Sequence, residues 1–427
     1  MNEPFRDVWN RNYRFVVLVA SLLLLVVGSG AMFALVIALK SIAVEFGWPR
    51  AVPSLGYSLQ FIGGGLGGIA MGYWLDRRGM AGPATISGFM IGLGAVATAF
   101  VATEWQFYLV WGLMMGLLGQ STLFTPLIAN VMRWFPTGGG GAVGFVASGQ
   151  SLAGFLWPPL LRYLNESIGW RDTFLWYGIF AICMMVPLSV LLRRNPDRPA
   201  SSADSTAAAS VRSQRPKSVS TSDLGLSAGQ LQVALSAAII GCCVAMSLPL
   251  AHLVAYASDL GISAARGAEM LSLMLLASFF SRMFGVGPLT KRLGGLRALF
   301  VFSSVQAVML VALALVDGVS TLYVVAAIYG LGYGGLTPCY PIVVREYMPA
   351  GQVGRQTGVV IFGGTIGMAI GGWLGGFVFD LTASYEPAFF IGVGFNLINL
   401  AIIGTLLGRA GLHRLGTLAP SNRPCSS

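Results

Sequence analysis

The chain has 427 residues, of which 55% are hydrophobic and 10% charged, against about 25% charged in soluble domains. Such a composition belongs in lipid and excludes a soluble enzyme. The net charge of +10 raises a nucleic-acid partner as a reading, which the placement of the cations decides.

A membrane-crossing helix needs about 20 apolar residues. Twelve stretches qualify, at residues 14–39, 52–75, 81–102, 105–133, 139–163, 170–192, 230–257, 266–290, 295–316, 320–345, 352–380 and 386–408. The first is longer than the roughly 7–15-residue core of a cleaved signal, so it is expected to be retained as helix 1. Lys40 falls at its outer end, where a lysine can also snorkel to the interface with no further role. Helix 2 contains FIGGGLGG and ends in GYWLDRRG at 72–79. Residues 193–228, rich in Ser, Ala, Pro and Arg, lack hydrophobic periodicity and read as a flexible cytoplasmic linker. The predicted organisation is an amino-terminal six-helix half over 1–192, the linker, a second half over 229–408 and a cytoplasmic tail over 409–427.

In the second half, His252 lies in the outer part of helix 7, with Asp259 two turns on along the same face. Its pKa range makes it a possible proton carrier, although packing would equally explain it. Arg282 lies inside helix 8, thirteen residues after Glu269 and nine before Lys291, so roughly 14–20 Å from either end. An arginine at that depth costs about 2.5–3.5 kcal/mol on insertion scales, so such residues face a bundle interior or a watery cavity. Ser278 and Gly285 share its stripe and leave room for the guanidinium, whose planar fork matches a carboxylate. The bland alternative is an arginine that ties helices together through carbonyls. Tyr329 and Tyr333 in helix 10 could add hydrogen bonds and flat walls. Tyr57, Gln60, Gln120, Asn130 and Gln150 could shape the rest of a cavity.

With the amino terminus inside, Lys40, Arg50, Arg162, Arg171 and Arg266 lie outside, Arg282 lies within a helix, and the remaining Lys and Arg all face the cytoplasm. That asymmetry is the positive-inside rule; it puts both termini in the cytoplasm and removes the case for nucleic acid. The five cysteines show no C-x-x-C spacing and the two histidines are far apart, so no metal site, disulfide framework or cofactor is expected.

Three pairs of segments recur at a spacing of about half the chain: GYWLDRRG with GPLTKRLG at 287–294, RWFP at 133–136 with REYMP at 345–349, and WRDTF at 170–174 with YEPAF at 385–389. Duplication is the economical explanation. These halves, the linker and the G-x-x-x-D-R-x-G signature resemble the major facilitator superfamily over the whole chain. The resemblance implies an all-α membrane protein with twelve transmembrane helices in two pseudo-repeated six-helix halves. It also implies a cytoplasmic gate at Gly72, Asp76, Arg77 and Gly79, with its partner at the start of helix 11 near 352–357.

Within the family, LKSIAVEFGW at 39–48, the passage 133–154 and SFFSRMFG at 278–285 resemble the monocarboxylate porters and their oxalate and formate exchanger relatives. The resemblance carries roles onto Lys40 and Arg282, but places Ser278 where animal members have an aspartate, and serine cannot titrate. The second helix 11 cation of the oxalate exchangers has no counterpart in 357–378. The expectation is therefore a monomeric transporter in the bacterial inner membrane, moving a small organic anion, with a monocarboxylate preferred, by alternating access with proton coupling. The other reading is efflux of drugs or other small molecules, for which SLAGFLWPPLL at 151–161 holds part of a helix 5 signature. A membrane enzyme would need clustered His, Asp or Glu, and a receptor a soluble output domain.

Overall fold

The computed structural model describes residues 3–135, 139–194, 225–348 and 353–418. In chain order the helices are α1 (Glu3–Phe46), α2 (Ala51–Arg78), α3 (Ala81–Ala99), α4 (Glu104–Trp134), α5 (139–168), α6 (170–190), α7 (Ala228–Asp259), α8 (Ala264–Leu293), α9 (Gly295–Leu315), α10 (Val319–Tyr347), α11 (Val353–Thr382) and α12 (Glu386–Leu418). Ten stretches of the described residues are long and apolar enough to cross a membrane. One of these, Gly141–Val190, holds both α5 and α6, which meet at Gly169 with φ 83° and ψ 163°. Adding α2, which is not among the ten, brings the number to the expected twelve.

Some helix ends depart from the sequence reading. α1 does not stop at residue 39, because SIAVEF holds neither glycine nor proline; it runs to Phe46 and ends at Gly47, which takes φ 65°. Lys40 therefore lies inside the helix and not at its end. α12 likewise continues to Leu418, so part of the expected tail is helical. Of the linker only the edges are seen: Ser227 and Gln230 cap α7 reciprocally at 3.2 and 3.0 Å, a capping box. Residues 195–224, Gln352 and Cys425 lie outside the described residues. The repeat reappears as geometry, because Gly79 and Gly294 both take positive φ and donate to the carbonyl four residues back, at 3.0 and 2.9 Å.

Within each half, helices approach through small residues. Gly63 and Gly67 of α2 press on the α4 backbone, Gly330 and Gly334 of α10 on Met274 and Ser278 of α8, and Gly367 and Gly371 of α11 on α7. The halves meet along two seams, α2 with α11 and α5 with α8. An even number of crossings puts the start of α1, the end of α6, the start of α7 and the end of α12 on one face, the terminal face; the opposite face is distal.

Both seams part toward the terminal face, α2–α11 from a tight distal end and α5–α8 from a tight middle. Along α2–α11, a Cβ on Gly376 would run into Ser54 and one on Gly372 into Tyr57, whereas one on Gly65 would touch Phe362 and Thr365 at 3.2 Å. Beyond that, Cβ atoms on Gly72 and Gly358 would meet nothing within 4 Å. Along α5–α8, Gly154 abuts Leu275 and the Ser151 and Ser278 hydroxyls lie 3.1 Å apart, but Gly141, Gly144 and Gly287 face open space. The halves enclose a wedge that opens at the terminal face.

Candidate functional site

Arg282 stands where α5 and α8 part. A short π-helical stretch, Ser281–Gly285, carries it; such bulges are frequent at functional sites, although α4 holds another over Val110–Gly119. Its guanidinium reaches the Ala147 carbonyl of α5 at 3.5 Å, long for a hydrogen bond, and lies 5.5 Å from the centre of the Tyr333 ring. Nε is buried and unbonded. No acidic side chain among the described residues pairs with it. One turn on, the nearest atom to a Cβ on Gly285 would be Ser281 of the same helix at 3.5 Å, so space remains beside the guanidinium. A sheltered cation with free donors and no counter-ion is costly and chemically suited to an anion, best of all to the two oxygens of a carboxylate. Because α8 begins at Ala264, Arg282 lies somewhat nearer the terminal face than its sequence neighbours suggested.

Ser278 is fully buried between the Ser151 hydroxyl and the backbone of Gly334. It is a contact between the halves, with no room for a larger acidic side chain. Tyr333, also buried, forms the aromatic wall beside Arg282. Tyr329 belongs to the interior of the second half: its hydroxyl donates to the Ala245 carbonyl at 3.0 Å and accepts from Gln306 at 3.3 Å. His252 is likewise buried, with Nε2 bonded to the Gly372 carbonyl at 2.7 Å, Nδ1 unpartnered and its ring 5.1 Å from Tyr385. Among the broader polar set, Gln60 and Asn130 are buried with both amide atoms unpartnered.

Lys40 is several turns away from Arg282, at the distal end. Its amine lies 2.8 Å from Asp259 and 3.1 Å from the Ser258 hydroxyl. It also lines a cavity of about 470 Å³ with Glu45, Arg162 and Trp170. The structure thus separates the two cations that the sequence grouped. At the terminal face, Asp76 pairs with Arg133 of its own half, Arg77 lies 4.2 Å over the Tyr73 ring, and Gly79 makes the turn. Gln352, in the expected partner segment, lies outside the described residues.

Around Lys40 is a charged cluster that sequence reasoning left unassembled. Arg50, just before α2, donates to both Asp259 oxygens and, at 3.0 Å, to the Tyr385 hydroxyl, and stacks 3.6 Å over Phe379. The backbone N–H groups of Arg50 and Ala51 donate to the Asp380 carboxylate at 2.8 and 2.7 Å. Burial works against the Arg50 cation, but its bonds to Asp259 and Tyr385 outweigh that and raise its pKa. Burial also pushes the Tyr385 phenol up to about 12, with Arg50 pulling the other way. One signal in the sequence pointed here. The repeat spacing that pairs WRDTF with YEPAF also pairs Glu45 with the neighbour of Asp259, and Glu45 is held by Arg171 at 2.9 Å and by Trp170.

Twelve helices in two glycine-packed halves and a repeated turn describe a fold shared with known proteins. The model of the Major Facilitator Superfamily matches residues 19–229 and 233–421. The chain belongs to this superfamily. It is therefore a multi-pass membrane transporter and not an enzyme. Similar curated proteins include Monocarboxylate transporter 13 of Rattus norvegicus, 26% identical over 87% of this chain and 82% of that protein. Monocarboxylate transporter 11 of Mus musculus is 28% identical over 77% and 72%, and the MFS-type transporter pynF of Aspergillus niger 24% over 72% and 69%. Among solved structures, a point mutant of the nucleoside transporter NupG superposes with a TM-score of 0.69 at 12% identity, covering 92% of this chain and 99% of that one. A bacterial homologue of the human lysosomal transporter Spinster gives 0.60 at 16%, covering 98% of each. At these identities the structures attest the fold alone.

Proposed function

We propose that this superfamily member carries a small organic monocarboxylate across the bacterial inner membrane by alternating access, coupled to protons. Arg282 receives the carboxylate at the apex of the wedge, with Tyr333 flanking the organic part. Lys40 attracts the anion from the distal face, which the charge asymmetry makes the outside, and the 72–79 signature latches the cytoplasmic side. The observation that carries this reading is the unpaired guanidinium at the point where the halves separate; the relatives named as monocarboxylate transporters agree with it. Because Ser278 cannot titrate, the proton carrier must lie elsewhere, and His252 is the available group on α7.

The test is uptake of radiolabelled lactate, pyruvate and benzoate into proteoliposomes, with and without an imposed pH gradient. Saturable uptake, stimulated by the gradient and absent in Arg282→Ala at normal insertion, is the expected result. Transport of apolar amines with no acid moved would replace this reading with efflux.

A further inference from the structure

We propose that Asp380 and Asp259 form a gate at the distal face, the counterpart of the 72–79 signature at the terminal face. The inference rests on the alternating access in the proposed function but not on the identity of the substrate. α2 and α11 run antiparallel across their seam. Asp76 stands two residues before the end of α2, and Asp380 two residues before the end of α11. A carboxylate there is poorly placed for its own helix, whose carboxyl end carries partial negative charge, and well placed for the amino end of an antiparallel neighbour.

At the distal face that second relation is realised. α2 has no cap of its own: Arg50 occupies the N-cap position with φ −62° and ψ −23° and provides no side-chain cap bond. Its leading N–H groups would be orphans, and Asp380 of the other half takes those of Arg50 and Ala51. Asp259, the last residue of α7, adds a second tie by binding Arg50 and Lys40 of the first half. Tyr385 and Phe379 hold the Arg50 guanidinium in position. Each of these contacts crosses between the halves, so rocking them apart distally must break them.

At the terminal face, among the described residues, the equivalent carboxylate makes its ion pair within its own half. Asp76 is held by Arg133 of its own half, and the neighbouring Gly72 and Gly358 face open space. One antiparallel helix pair thus carries a carboxylate near the carboxyl end of each member. With the distal one engaged across the seam and the terminal one paired inside its own half, the two act in turn.

The experiment uses purified protein in nanodiscs with its five cysteines replaced by alanine and one reporter added. Ser54→Cys lies in the closed distal seam and Gly358→Cys in the open terminal seam. The rate of reaction with a membrane-impermeant maleimide is measured with and without Asp380→Ala or Asp259→Asn. Labelling at 54 is expected to rise about fivefold on loss of the cap and about tenfold on loss of the Asp259 charge. Labelling at 358 is expected to fall as the population moves to the distal-open form. Unchanged labelling at 54 overturns the proposal, and so does a parallel rise at both positions, which marks lost packing and not a switch of access. No substrate enters this readout, so failure of the monocarboxylate reading leaves the gate standing, and the reverse.

Discussion

Two arginines on the seam between the halves live in opposite surroundings. Arg50 meets two carboxylate oxygens, a phenol and an aromatic face, all from the other half. Arg282, deeper in the membrane, has one long bond to a carbonyl, the ring and hydroxyl of Tyr333 beside it and a buried Nε with nothing to donate to. The protein completes the first cation and leaves the second incomplete. Placing an uncommitted, partly buried cation within a membrane-spanning helix makes sense when a ligand supplies the missing anion. Placing a fully satisfied one at a seam makes sense when it holds that seam shut.

The contrast can be broken most directly at Arg282. Arg282→Ala should lower uptake at low substrate by about 100-fold, the loss of a charge-assisted pair, without lowering the melting temperature, since a desolvated charge has been removed. Scanning fluorimetry beside the flux assay checks both; retained uptake with a lowered melting temperature would make Arg282 a structural tie. Next comes Ser278→Asp. The side chain must fit between Ser151 and Gly334, so overpacking should cost about 1–3 kcal/mol, read as a clear fall in thermal stability. A tolerated aspartate would show that the α5–α8 seam is looser than described.

Lys40→Gln should act more weakly. Lys40 is 39% exposed, and pairs of that kind contribute about 0–1 kcal/mol, so uptake should change by no more than about fivefold, with less dependence on ionic strength. Initial rates at two salt concentrations give the answer. Tyr333→Phe keeps the ring beside Arg282 and removes only the hydroxyl, so the Michaelis constant should shift by about threefold or less. A larger shift would make the hydroxyl a direct ligand.

The helix count was legible because each crossing must present about 20 apolar residues, and the twelve runs stand out from their flanks. Arg282 was legible for the same reason, since a cation inside such a run is exceptional. The end of α1 was misjudged, because hydropathy falls at Lys40 while the backbone stays helical to Gly47. The distal cluster was the hardest to see. Arg50, Asp259, Asp380 and Tyr385 sit at helix ends, where charged and aromatic residues are ordinary, and Arg50 is 209 residues from Asp259 in the chain. Only the repeat, which places Glu45 and Asp259 at nearly equivalent points, hinted that this corner of the second half was built for charge. Tyr329 looked like a cavity residue by type, but type does not tell which polar side chains find partners inside their own half.

The central claim is that the Arg282 guanidinium binds a carboxylate. Its most direct test is ligand binding to purified protein by thermal shift, comparing benzoate or lactate with the matching neutral amide, in wild type and Arg282→Ala. The account predicts that the acid stabilises wild type, that the amide does not, and that the variant responds to neither. Equal stabilisation by acid and amide, or undiminished acid binding in the variant, would contradict it.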